Sequence, residues 1–174
     1  MIMDIIKELL FQSIGRIVPW LRRKIYPLTE FEKDIEIDLR RDNPITFSVN
    51  NESPYLTLYL TVKNRSQYLK FTFDRAIINF NTDNTYHEIL KDVSIISCVE
   101  VGKKSEKSIN YKFSLNEYQV KLLKNLKDTT KLRASIRIKY YVVSDLYKVS
   151  KEIELNSIYY SLEWSKKQNS NKLK

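Results

Sequence analysis

The chain has 174 residues, a formal net charge of +9, one cysteine (Cys98), one histidine (His87) and two glycines (Gly15 and Gly102). One cysteine excludes an internal disulfide, and two Cys/His side chains fall short of the three or four ligands of a usual zinc site. Two glycines cannot build a phosphate-cradling loop, and a lone histidine removes most hydrolase schemes that use a serine, a cysteine or a metal.

The length suits one compact domain with appended segments, and an apolar content of 43% is enough for a core. No metal or cofactor is expected. A reducing, cytoplasmic setting fits the cysteine count. Cys98 is expected as a small buried hydrophobe within the apolar run 93–101, and His87 as a surface residue. The basic excess is local. Residues 102–140 hold eleven Lys and Arg against three acids, and residues 165–174 hold basic residues and no acid. Such asymmetry attracts anionic partners, nucleic acid and acidic lipid among them.

In chain order, residues 2–14 carry Ile2, Ile5, Ile6, Leu9, Leu10 and Ile14 at helical spacing. Residues 16–26 are expected to resume a helix, with Pro19 in its first turn, a basic cluster of Arg22, Arg23 and Lys24, and Pro27 as its stop. Charges interrupt this stretch too often for a membrane span. It reads as an amphipathic segment with Phe11 and Trp20 beside cations. That pattern suits an anionic membrane surface, a protein partner or a second copy of the chain, with packing on its own domain as the alternative. Phe11, Trp20, Arg22, Arg23 and Lys24 are the candidate contacts.

Residues 33–39 alternate, with Asp34, Glu36 and Asp38 expected on one strand face. Such a row serves a calcium site or a paired-acid glycosidase, or it is solvated, or it pairs with a cationic strand. Residues 45–49 are a short strand. Residues 55–80 read as two strands joined by a polar turn at 64–67. In the first, Leu56, Leu58, Leu60 and Val62 face inward, while Tyr55, Thr57 and Tyr59 face a helix or solvent. In the second, the apolar phase slips at Asp74–Arg75. That slip predicts a bulge or a bend through which one strand serves both sheets.

Residues 93–101 are expected as a well-buried strand, and Ile109, Tyr111 and Phe113 mark the next. Residues 114–127 read as a helix with a Ser114/Glu117 capping box, an apolar side of Leu115, Tyr118, Leu122 and Leu126, and Lys121, Lys124 and Lys127 outward. Residues 131–143 form a long strand, with Arg133, Arg137 and Lys139 on its outer face. A hairpin turn near 145–148 leads into a last strand, whose phase shifts after Leu155.

Together these elements predict a mostly β chain. An N-terminal amphipathic helical segment (1–28) precedes an antiparallel β-sandwich of immunoglobulin or fibronectin type III kind (29–164), which carries one internal helix, and a basic tail (165–174) follows, expected to be disordered. The loop 50–54, the run YLTLYLTVKNRS and the later Asp74 resemble the group 2 late-embryogenesis-abundant proteins, also called the water-stress and hypersensitive-response domain. The family's usual Asn-Pro is Asn64-Arg65 here. The resemblance implies an immunoglobulin-like or fibronectin-like sandwich. It carries no catalytic residues, and many such proteins have a membrane-associated N-terminal segment.

The sequence singles out no catalytic pair, so the chain is expected to be a non-enzymatic binding or scaffold module. Attachment to a membrane through the N-terminal segment is one expectation for it, and packing of that segment on the sandwich or on another subunit is weighed ahead of it. The alternative is nucleic-acid binding through Lys121, Lys124, Lys127, Arg133, Arg137 and Lys139, with Tyr141 as a stacking surface.

Overall fold

The computed structural model describes residues 2–14, 19–41, 44–49, 52–82, 87–125 and 132–160. Gly15, Asn43, Leu126, Lys127, Trp164, the far end of the turn at 81–84 and the basic tail lie outside them. Three short helices come first: α1 (Ile2–Ile14), α2 (Pro19–Ile25) and α3 (Leu28–Lys33). Then follow β1 (Ile35–Leu39), β2 (Ile45–Ser48), β3 (Tyr55–Asn64), β4 (Phe71–Thr82), β5 (His87–Val101), β6 (Ser105–Ser114), α4 (Glu117–Asn125), β7 (Leu132–Val143) and β8 (Lys148–Tyr160).

The strands make two antiparallel sheets. In the first, β6 pairs with the whole of β3, while β1 and β2 share its other edge in succession. In the second the order is β5-β4-β7-β8. Because β5 pairs with β4, the fourth strand belongs to the second sheet, and two four-stranded antiparallel sheets face each other as a β-sandwich. Leu56, Leu58, Leu60 and Val62 of β3 meet Phe73, Ala76, Ile78, Ile136, Ile138 and Val142 of the facing sheet, all at most 1% exposed. Burying each large side chain contributes about 1.5–3 kcal/mol.

The alternation places the strands, but the polar turn at 64–67 does not join β3 and β4 as a hairpin. They lie in different sheets, and residues 65–70 cross between the sheets. Asn64 explains the crossing. Its buried amide nitrogen donates to the carbonyls of Leu69 (2.8 Å) and Val101 (3.3 Å). Its amide oxygen accepts from the Ser66 N–H (3.0 Å), and the Ser66 hydroxyl accepts from the N–H groups of Tyr68 and Leu69. These local bonds satisfy the backbone that a hairpin ladder would otherwise use.

The phase slip at Asp74 is a bulge, as the pattern required: Phe73 pairs with Val142, and Arg75 with Tyr141. However, β4 stays within one sheet and does not serve both. The slip in β8 is a second bulge, since Ala134 and Ile136 pair with Ile158 and Leu155.

Further expectations are corrected. The run 93–101 is an edge strand with one face in solvent, not a buried one: Ile96 is 80% exposed. Cys98 is exposed too, at a bulge where its φ is 50°. The capping box sits two residues later than expected. Asn116 and Gln119 exchange side-chain bonds with each other's N–H (2.7 and 2.9 Å), while Ser114 ends β6. As a result the helix turns Leu123 inward and leaves Tyr118 in solvent. Finally, α3 was not anticipated. Asp34 is its C-cap and not a strand residue; its N–H donates to the carbonyls of Glu30 and Phe31.

Candidate functional site at the helical end

The three N-terminal helices sit on one end of the sandwich through an aromatic cluster. Tyr26, just before Pro27, and Phe31 of α3 are fully buried. Tyr26 lies 4.9 Å from Tyr68 of the inter-sheet crossing, and Phe31 stacks at 5.6 Å on Tyr147 of the β7–β8 turn. The Tyr147 hydroxyl donates to the Tyr26 carbonyl (2.6 Å), and the Tyr26 hydroxyl donates to the Asp34 carboxylate. Burial and that carboxylate hold the Tyr26 phenol well above its usual range, and burial also raises Tyr147.

Phe11 joins this cluster, 5.2 Å from Tyr68 and 6.2 Å from Tyr26. Arg22 closes over it, with its Cζ 4.5 Å from the ring centroid, and pairs with Asp145 at 2.9 Å. Phe11 and Arg22, expected as outward contacts, are therefore turned to their own domain. An aromatic ring and a cation that can satisfy each other on the sandwich gain more there than in water.

The rest of α1 looks the other way. Met3, Ile5, Ile6, Leu9 and Leu10 are 43–67% exposed, and Trp20 of α2 is 59% exposed. Ile6 and Leu9 lie about 140–160° around the helix from Phe11. Among the side chains of α1 that are described, Phe11 is the one that is buried, and the apolar stripe is left in solvent. Arg23 and Lys24 are exposed beside Trp20, and the Lys24 Nζ sits 5.0 Å from the indole. Among the described residues, no helix is long and apolar enough to cross a membrane.

The cations of the second candidate set are split between elements. Lys121 and Lys124 are exposed on α4 and border a groove of about 690 Å³ with Val49, Pro54, Leu115 and Val120. Arg137 lines a different cleft of about 170 Å³, with Asn79, Asn81, Asp92, Ser135 and Glu154. It also meets Glu152 at 3.3 Å. Lys139 stands opposite Glu152 in the β7–β8 register. Arg75 lies 4.2 Å from the Tyr141 ring, with Lys139 at 5.9 Å, so cations already occupy that stacking surface. Lys127 lies outside the described residues, and of Arg133 only its backbone position opposite Tyr159 is described.

The acidic row is not opposite the β7 cations. Glu36 meets Lys63 at 3.3 Å and Arg65 more closely still, and Asp38 meets Lys63 at 3.5 Å, all within the first sheet. Hydrogen bonding from Arg65 holds the Glu36 carboxyl down to about 2. The polar-aromatic face of β3 is covered neither by the N-terminal helix nor left bare: the Lys112 Nζ lies 3.7 Å from the Tyr55 ring and the Arg40 Cζ 3.9 Å from that of Tyr59.

No family model matches the chain, and neither does any curated protein. Among solved structures, the chain is similar to a protein provisionally assigned as a late embryogenesis abundant protein (13% identity, TM-score 0.40, covering 89% of this chain and 86% of that one). It is also similar to a protein from Archaeoglobus fulgidus (13% identity, TM-score 0.42, covering 71% and 98%). A third likeness is to a protein provisionally assigned as ApaA from Bordetella pertussis (9% identity, TM-score 0.42, covering 71% and 94%). The fold assignment rests on strand order and register rather than on these likenesses.

The aromatic seat was missed from the sequence. Its signal was there: Tyr26, Tyr68 and Tyr147 are large aromatics that fall outside every alternating run, next to a proline or a polar turn.

Proposed function

We propose that this protein is a non-enzymatic β-sandwich module held at an anionic membrane surface by α1 and α2. One observation carries the reading: α1 is seated on the sandwich by Phe11, while Met3, Ile5, Ile6, Leu9 and Leu10 on its other sides, with Trp20, are exposed. An unpartnered apolar stripe that includes Ile6, Leu9 and a neighbouring indole matches an interfacial helix. Arg23 and Lys24 supply the charge complementarity that favours an acidic lipid surface over a neutral partner.

The test is co-sedimentation of the full chain with phosphatidylcholine vesicles containing phosphatidylglycerol. Ile6→Ser combined with Leu9→Ser changes only exposed side chains, so the fold is retained. Losing two apolar side chains that the bilayer would bury should weaken vesicle binding by roughly a hundredfold. Equal binding by the variant and the native chain would overturn the proposal. Nucleic-acid binding through the β7 cations has less support, because Arg137 and Lys139 are matched by the β8 carboxylates.

A further inference from the structure

The groove of about 690 Å³ beside α4 lies at the end of the sandwich away from the N-terminal helices. β3 spans the distance between them: Tyr55 begins it next to Pro54 of the groove, and Asn64 ends it at the inter-sheet crossing. Two hydrogen bonds fix the helical wall. The Leu115 N–H donates to the Pro54 carbonyl (2.9 Å), which ties the chain just before α4 to the first sheet. The Gln119 side-chain amide donates to the Ile89 carbonyl of β5 (2.6 Å), which ties the helix to the second. Leu123, fully buried, anchors the same helix. Between α4 and the β2–β3 loop, Val49, Pro54, Leu115 and Val120 form an apolar floor.

The rim is charged unevenly. Lys121 and Lys124, one turn apart, stand with Asn125 towards the C-terminal end of α4, and Glu117 stands at its start. All four are exposed, and among the described residues neither lysine makes a hydrogen bond or an ion pair. An apolar floor that ends at two unmatched cations is complementary to a molecule with an apolar body and an anionic head. Glu117 sets the direction, because it repels an anion from its own end. No arginine lines the groove, and the first turn of α4 is closed by the Asn116/Gln119 cap. The donors that favour a phosphate, a guanidinium fork or a free helix N-terminus, are therefore not offered there, whereas two ammonium groups suit a carboxylate. The chain's own tail does not fit, since residues 165–174 carry four lysines and no acid.

We propose that this groove binds a small amphipathic carboxylate of fatty-acid type, with its hydrocarbon body on Val49, Pro54, Leu115 and Val120 and its carboxylate accepting from the ammonium groups of Lys121 and Lys124. The volume falls in the range of roughly 300–1,000 Å³ usual for small-molecule sites. The site is independent of the membrane reading, since it shares no residue with α1 or α2.

The full chain, labelled with ¹⁵N, is titrated with octanoate, with 1-octanol and with acetate at constant ionic strength, and amide shifts are followed by NMR. Octanoate should shift the amides from Leu115 to Asn125 with a dissociation constant of about 1 mM. The alcohol keeps the body and lacks the charge, and should bind about fivefold more weakly; acetate keeps the charge and lacks the body, and should shift none of these amides at the same concentration. Lys121→Gln combined with Lys124→Gln changes two exposed, unpartnered side chains, so the fold is retained. That variant should bind octanoate no better than octanol. Repeating the octanoate titration on the Ile6→Ser and Leu9→Ser pair removes the apolar stripe of α1 as a competing site, and the α4 shifts should persist whether or not that pair has lost its vesicle binding. Octanoate that leaves the α4 amides unmoved, octanol that binds them as tightly, acetate that shifts them as strongly, or a double lysine variant that keeps its full octanoate affinity would each overturn the proposal.

Discussion

Asn64 shows how much one side chain can decide. Its neighbours in β3 alternate as any strand does, and nothing in that alternation distinguishes a hairpin from a crossing between sheets. The distinction lies in an amide that bonds two carbonyls 5 and 37 residues away and one N–H two residues on. Asn64→Ala should leave those groups buried without partners and lower stability by about 2–3 kcal/mol. Urea unfolding monitored by tryptophan fluorescence would measure this as a lower midpoint with an unchanged slope.

Glu36 gives the opposite case, a surface residue with a modest effect. Its carboxyl is depressed from 4.5 to about 2, first by the Arg65 hydrogen bond. The folded value is below the unfolded one, so the contribution is present above about pH 4.5 and fades as the pH falls towards 2. The pair is largely exposed, and solvent screening keeps the effect within about 1 kcal/mol. Stability measured from pH 5 to pH 2 should fall slightly less for Glu36→Gln than for the native chain.

At the scale of elements, strand periodicity was the most legible feature. The inward residues of β3 and β7 and the bulges in β4 and β8 follow from where apolar side chains fall, because a two-residue period has only two faces to choose from. What periodicity could not supply was which strands pair and which of them lie at an edge. The residues of β5 from Val93 to Val101 look apolar enough for a central strand, yet among the described residues β5 pairs only with β4. Its outward positions carry Ile96 and Cys98 into solvent, and two bulges with positive φ, at Asp92 and Cys98, interrupt its ladder. Bulges of this kind discourage pairing with a further strand. Cys98 should therefore react with a thiol-specific disulfide reagent in the native protein about as fast as in denaturant. Cys98→Val should also destabilise by roughly 1–2 kcal/mol, since a β-branched residue tolerates φ near 50° poorly. A native thiol that reacts only after unfolding would contradict the edge-strand geometry.

Viewed as a whole, the molecule uses its N-terminal helix on two opposed sides. The sequence showed that helix 2–14 is amphipathic, but it suggested that Phe11 and Trp20 act together, because both are aromatics near cations. Periodicity alone separates them: Phe11 falls among Lys7, Glu8 and Gln12, away from the stripe that contains Ile6 and Leu9. A lone aromatic on a polar face is the mark of a seat, and the stripe remains free for a second surface. The two sides can then be disabled separately. Phe11→Ala removes the ring that Tyr26, Tyr68 and Arg22 enclose and should release α1 from the sandwich. Hydrogen exchange of the α1 amides should then approach the rate of an unprotected chain, while the amides of β3, β4 and β7 keep their protection, because no strand pairs with the helix. Vesicle binding by Phe11→Ala should stay within about threefold of the native chain, since the apolar stripe is untouched, whereas the Ile6→Ser and Leu9→Ser pair should lose binding and keep α1 seated. If instead Phe11→Ala abolished vesicle binding as completely as the stripe variant, the seat and the stripe would be a single surface, and the opposed-face arrangement would have to be abandoned.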